Sequence, residues 1–292
     1  MGLALGDAAS SASSDPGPLP GTCLTQLACF TLEGAIRACV RQDNKGICDP
    51  PSVIWHALAR WAHIQGLGPQ FAENWTGGST VWPDGWLHHV RPLSIRRGDA
   101  PATVQSLTAS PGVPERPRTT SGGHHAVTRV LPIAIMGFSD PAGMGSEVAA
   151  LTHGQEDALL AAASAVSVAT QLLVEGEPSV LERAVEISGR DLVGTAAHAL
   201  HHGAQAALSA DDFETLAQSA GSHGKGPMIV GAAMFGALHG VDALGHVVSR
   251  LEVGWVADRL AGDAVAERLD HPAGTEYSTG SDPMWWSNYP GW

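Results

Sequence analysis

From Ser222 to Gly240 the chain reads SHGKGPMIVGAAMFGALHG, a polar loop running into an apolar segment. Within that segment the small residues Ala232, Gly236 and Gly240 recur at every fourth position. Four residues is close to one helical turn, so these positions share one edge of a helix. An edge without bulk lets the helix backbone pack closely against a neighbour. This feature ties the fold to helix-on-helix contact before any other residue is considered.

The rest of the chain agrees with that constraint. Apolar residues at helical spacing (Leu27, Phe30, Gly34, Cys39) predict a helix over Thr25–Arg41, which ends in the polar turn Asp43-Asn44-Lys45-Gly46. Asp49-Pro50-Pro51-Ser52 is a start signal for Val53–Gln65, with Trp55, Leu58 and Trp61 along one side. Further helices are expected over Ala126–Met136, Ser146–His153, Gln155–Leu173, Ser179–Gly189, Val193–Leu208, Asp211–Ser219, Pro227–His239 and Val241–Gly254. Between Gly66 and Gly123 seven prolines (69, 83, 92, 101, 111, 114 and 117) interrupt the period, so this region reads as loop with short helical pieces. A loop that long is usually functional. No alternating run is long enough for a sheet. The fold class is all-α, in one domain spanning residues 1–292.

Composition narrows the function classes. With 44% hydrophobic and 15% charged residues, the 292-residue chain has ample material for a core and is unlike a disordered one. A net charge of −13 with no basic cluster argues against nucleic acid as a partner. The longest uncharged run, Ala158–Val174, falls short of the roughly 20 apolar residues of a membrane span and reads as a buried core helix. The first residues, MGLALGDAASSASS, lack the basic region of a signal peptide. The four cysteines (Cys23, Cys29, Cys39, Cys48) match no zinc spacing, which points to reduced thiols and a cytoplasmic protein.

Several motifs, in order, resemble those of the ADP-ribosylglycohydrolases. Gly236-Ala237-Leu238-His239-Gly240 fits the family's C-terminal Gly-Ala-Leu-Tyr/His-Gly. Gly2-Leu3-Ala4-Leu5-Gly6-Asp7-Ala8 is similar to its N-terminal motif, Ser121–Pro132 (SGGHHAVTRVLP) to its Ser-Lys-Gly-Cys-Gly-Gly-Val-Met-Arg-Val-Ala-Pro segment, and Thr152-His153-Gly154 to its Thr-His-Gly. Phe30–Gly34, Arg60-Trp61, Gly85-Trp86-Leu87 and Tyr289–Trp292 resemble actinobacterial members. The family usually has a short helix ahead of the position matched by Gly2, so the resemblance implies a chain that is truncated or begins late.

In that family a Ser/Thr-Asp-Asp-Thr motif and a C-terminal Asp-x-Asp loop hold two Mg²⁺ ions that bind ribose hydroxyls and activate water. Here the first motif falls on Thr22-Cys23-Leu24-Thr25, and the loop aspartates fall on His223 and Lys225. Hard cations need carboxylate oxygens, so the resemblance implies a scaffold without its magnesium centre. No metal and no cofactor is expected.

The same alignment implies that Thr22, Cys23, Leu24, His124, His125, His153, His223 and Lys225 converge on the vacated cleft. His124 and His125 stand where Cys and Gly are usual. Imidazole titrates near neutrality, so such a cluster suits metal-free acid/base catalysis, with His223 and Lys225 as the leading pair and His124 or His125 assisting. Cys23 is a candidate nucleophile if an imidazole lowers its pKa. The competing reading is that these side chains fill space and pair with one another. A site of softer metals on His124, His223 and Cys23 is weakened by Lys225 beside it. His198, His201 and His202 stand at i, i+3, i+4, a spacing that can clamp a metal, but with no evident further ligand they read as a solvated helix face. Asp7 reads as structural. Trp55 and Trp61 read as core; Trp82 and Trp86, in the proline-rich region, read as pocket wall.

The expected function is a repurposed, metal-independent enzyme acting on a small organic substrate by elimination, cyclisation, isomerisation or hydrolysis, in specialised metabolism. The alternative is an inactive relative that binds ADP-ribose, a nucleotide or a protein; residual ADP-ribosyl hydrolysis is the minor alternative. Neither a nucleic-acid nor a membrane partner is expected.

Overall fold

The computed structural model describes residues 1–11, 17–67, 83–109, 119–191 and 193–291. Its longest helix, α2 (Cys23–Lys45), starts where the Thr22 hydroxyl accepts the Leu24 N–H and stops where Gly46 turns left-handed at φ +68°. Seventeen of its 23 residues are buried, which makes it the axis of the core. Asp49 caps α3 (Pro50–Ile64), two prolines occupy its first turn, and it packs back onto α2 with Trp55 and Trp61 buried.

An ionic ring lies between these helices and the start of the proline-rich region. Glu33 pairs with Arg37 and Arg60, and Asp84 bonds Arg37 at 2.8 Å and faces Arg60 at 3.5 Å. Two acids thus neutralise two buried arginines, which is what such burial requires. The ring pins Asp84 and the chain that follows it.

The other layer is built on α12 (Lys225–His239), which contacts α1 (Gly2–Ala9), α8 (Glu156–Glu175), α10 (Thr195–Ser209) and α11 (Phe213–Ser222). The small-residue edge faces α1. A Cβ on Gly6 would stand 2.7 Å from the Met228 carbonyl oxygen and 2.9 Å from the Ala232 Cβ, so glycine sets the separation. Gly240 does not extend that edge; at φ +84° it ends the helix. Leu19 pairs with Leu251 in an isolated bridge, which ties the segment before α2 to the segment before α13 (Gly254–Asp270).

Several expected boundaries move. Pro132 breaks Ala126–Met136 into α6 (His125–Thr128) and a 3-10 turn at Leu131–Met136. Asp140 and Pro141 start α7 (Pro141–Ala150) five residues before the expected Ser146. Val241–Gly254 is two 3-10 turns interrupted by Gly245 at φ +75°, and the helix follows as α13. The proline-rich region holds a 3-10 turn at Leu87–His89, α4 (Arg91–Ser94) and α5 (Pro101–Ala109). A short hairpin pairs β1 (Gly274–Thr275) with β2 (Ser278–Thr279). Ser179–Asp191 forms α9, and Trp285–Asn288 forms α14.

By length and apolarity both α2 and α8 match a membrane span. In α2, 94% of the apolar window is buried within the protein; in α8 the share is 44%, with Leu160, Leu173 and Val174 exposed. The expectation of a wholly buried Ala158–Val174 helix is therefore corrected: α8 packs along one face only.

Candidate functional site

The site forms where the end of α1 meets the starts of α2 and α12. Asp7, fully buried, accepts at Oδ2 from the Thr22 N–H (2.6 Å), the Thr25 N–H (3.1 Å) and the Thr25 hydroxyl (2.6 Å). At Oδ1 it accepts from the Thr22 hydroxyl at 2.7 Å. A carboxylate against the first N–H groups of a helix satisfies its orphan donors and complements its dipole. Asp7 is thus an N-terminal cap of α2 supplied from another helix.

Lys225 completes this arrangement. Gly224 at φ +108° opens α12, and the Lys225 ammonium reaches across to Asp7 Oδ1 at 3.0 Å, the Thr22 hydroxyl at 3.1 Å and the Ser11 hydroxyl at 3.1 Å. An ammonium at a helix N-terminus opposes the dipole, so the pairing with Asp7 is what holds it there.

Above this cation opens a pocket of about 300 Å³ lined by Thr22, Cys23, Leu24, His124, His125 and Lys225 together with the segment 97–101. That segment clamps the start of α2. The Arg97 carbonyl accepts the Cys23 N–H at 2.7 Å, and the Arg97 guanidinium pairs with Glu252. A Cβ on Gly98 (φ +104°) would lie 3.0 Å from Cys23 Sγ. Ala100, buried in the pocket wall, holds φ +38°, a strained backbone for a residue with a side chain. A second pocket, about 200 Å³, is lined by apolar residues such as Leu32, Leu131, Ala233 and Leu260 and offers little chemistry.

Burial and charge sort the ionisable groups. Burial and then the Lys225 cation hold His124 below its usual pKa, with Asp7 opposing. His125 is pulled down to about 3 by burial, His124 and Lys225. Both imidazoles are therefore neutral near pH 7, and His124 Nε2 has no hydrogen-bond partner among the described residues. Asp7 is held below its usual value: burial pushes it up, but Lys225 and the two threonines outweigh that effect.

The structure divides the expected set. Thr22, Cys23, Leu24, His124, His125 and Lys225 come together. His223 does not line this pocket; it is exposed and stacks on His202, ring centroids 3.9 Å apart. A leading pair of His223 with Lys225 is corrected on that ground. Cys23 also changes role, because burial, and then Asp7, push its thiol up. The thiolate a nucleophile needs is thus disfavoured. His153 lies buried behind the pocket, its Nδ1 sharing a 2.9 Å hydrogen bond with the Thr152 hydroxyl, which accepts from the buried Arg129. Trp86 faces away, bonding the Tyr289 hydroxyl and lying under the Arg259 guanidinium, so it is no pocket wall. Trp82 lies outside the described residues.

Sequence reasoning missed Arg97–Pro101 and undervalued Asp7. The glycine Gly98 and the charged run Arg96-Arg97-Gly98-Asp99 were the available signal for the first. For Asp7 it was an acid inside an otherwise apolar helix.

The residues present do not fit the magnesium centre implied above. Among the described residues the one carboxylate lining the pocket is Asp99, exposed and 3.4 Å from Arg96; Asp7 lies buried beneath Lys225, its two oxygens taken by threonines and an ammonium. A hard divalent cation takes about six oxygens, and here an ammonium already occupies the place beside the buried acid.

Comparison with known proteins gives two findings. The model of the family described as ADP-ribosylglycohydrolase matches residues 1–274. A solved structure described as an ADP-ribosylglycohydrolase-related protein complex superposes with a TM-score of 0.61 at 18% identity, covering 92% of this chain and 95% of its own. Among the curated proteins there is no match.

Proposed function

The chain belongs to the ADP-ribosylglycohydrolase family, and from that premise we propose that it is an enzyme whose pocket performs acid/base chemistry on a small organic substrate without a metal in that pocket. The observation that carries this reading is the Lys225 ammonium paired to buried Asp7 beside the uncommitted neutral imidazole of His124. In this reading Lys225 supplies the fixed positive charge. It holds an anionic or carbonyl oxygen of the substrate, which takes the place of the exposed Ser11 hydroxyl among its three acceptors. A preorganised charge in a partly desolvated site stabilises developing negative charge strongly. His124 accepts the proton released at the neighbouring atom, as a neutral imidazole can. His125, Leu24 and the protonated Cys23 shape the cavity, and strained Ala100 fixes its wall. Eliminations, cyclisations, isomerisations and hydrolyses can each use this pair of roles.

The test is consumption of a compound from a small-molecule extract, followed by mass spectrometry with a chelator present. Wild type should convert one compound. His124→Gln and Lys225→Met should each slow that conversion by roughly 10²–10⁴-fold while keeping the helical circular dichroism. Equal conversion by both variants overturns the assignment. Stabilisation by ADP-ribose with no conversion favours a binding protein instead, and Mg²⁺-dependent release of ADP-ribose favours the family's hydrolysis.

A further inference from the structure

Outside the pocket, a second group of titratable side chains has been assembled from two elements. His198 and His202, four residues apart, stand one above the other on α10, ring centroids 4.4 Å apart. His223, at the end of α11, lays its ring parallel to that of His202 and 6.1 Å from that of His198. One ring nitrogen from each of the three lies within 4.8 Å of the others. We propose that His198, His202 and His223 bind one late transition-metal ion of the zinc class, the fourth position being open to water.

The chemistry of the donors selects the class. Three imidazoles with no carboxylate suit Zn²⁺, Ni²⁺ or Cu²⁺ and not Mg²⁺ or Ca²⁺. Metal–nitrogen bonds of about 2.0–2.1 Å place tetrahedral ligand atoms roughly 3.4 Å apart. Closing from the present spacing therefore needs only rotation of side chains, and His198 and His223 are exposed and free to turn. His201 turns the other way, its Nδ1 lying 3.1 Å from the Val185 carbonyl oxygen and 3.3 Å from the Ser188 hydroxyl on α9, and it is not one of the three whose ring nitrogens converge. The helix spacing alone supplied two ligands; the third comes from a turn that only the fold brings alongside. Since Gly224 and Lys225 follow His223 directly, a bound ion would tether α10 to the turn that presents Lys225.

The full chain, stripped with chelator and dialysed, is titrated with Zn²⁺ by calorimetry, and Cu²⁺ is examined by electron paramagnetic resonance. One ion should bind with Kd at or below about 10 μM, and the Cu²⁺ spectrum of the wild type should show three coupled nitrogens. His202→Ala and His223→Ala should each weaken Zn²⁺ binding by at least about tenfold, while exposed His246→Ala leaves it unchanged. Absence of binding at about 100 μM, fewer than three coupled nitrogens, or loss of binding in His271→Ala instead, whose imidazole converges with the Asp43 and Glu267 carboxylates elsewhere on the protein, overturns the proposal. The copper spectrum is read on wild-type protein and does not depend on how the variants fold.

Discussion

Asp7, wholly buried, accepts four hydrogen bonds from two threonines at the start of α2 and pairs with one ammonium from the start of α12. Its ionised form is therefore part of the native state. Asp7→Asn removes the charge and turns an amide N–H towards existing donors, which should destabilise the protein by about 3 kcal/mol at neutral pH. The pH dependence has a definite sign. A carboxyl held below its usual value of 3.8 in the folded state contributes stability that is present above that value and is lost as the pH falls through the folded pKa. Urea midpoints of the two proteins should therefore differ fully at pH 6 and converge as the pH drops below about 4; a constant gap would remove the charge argument. The sequence placed Lys225 and Thr22 near each other through the family resemblance. It did not show that Asp7 would be the anion between them, because the acid sits more than two hundred residues from the lysine.

At the scale of elements, two glycines with the same local propensity have opposite consequences. A Cβ added to Gly6 on α1 would press on the Met228 carbonyl oxygen and the Ile229 Cα of α12, whereas one added to Gly262 on α13 would meet nothing within 4 Å. Gly6→Ala should force the helices apart at a cost of about 1–3 kcal/mol, while Gly262→Ala should raise stability by about 0.5–1 kcal/mol through helix propensity. Thermal melts of the two variants moving in the same direction would contradict this packing. Helix existence was largely legible from apolar spacing. Boundaries slipped where caps decided them, as at Asp140 and Gly245. The helix α13 escaped notice because its buried stripe (Val256, Leu260, Ala264, Glu267) includes an acid. That acid has a tertiary partner: Trp285 Nε1 donates to Glu267 at 2.7 Å and anchors the C-terminal segment, and burial raises the Glu267 pKa to about 7.

Across the whole molecule, three histidines (His56, His125 and His153) are pulled down to about 3, burial being the leading cause for each. Groups of this kind are neutral in the folded chain and protonate near 6.5 when it unfolds. Their contribution to stability is full above that pH and declines as the pH falls from 6.5 towards 3. Stability should accordingly drop between pH 7 and 5, where the three imidazoles outweigh Glu267, whose raised pKa acts in the opposite direction. His153→Gln should flatten that decline by up to about 1.4 kcal/mol per pH unit; an unchanged slope would place the proton uptake elsewhere. The chain by itself determined the helical class, the close-packed edge of α12 and the family, because periodicity, small residues and motif order are local properties. It also determined the residue types available to the pocket. Only the tertiary structure decided which of them share a pocket. Gly224, at a positive φ, separates Lys225, turned inward to Asp7, from His223, left outside against His202. Two residues apart in sequence, they belong to different sites because a helix end, and not the spacing, sets where each side chain goes.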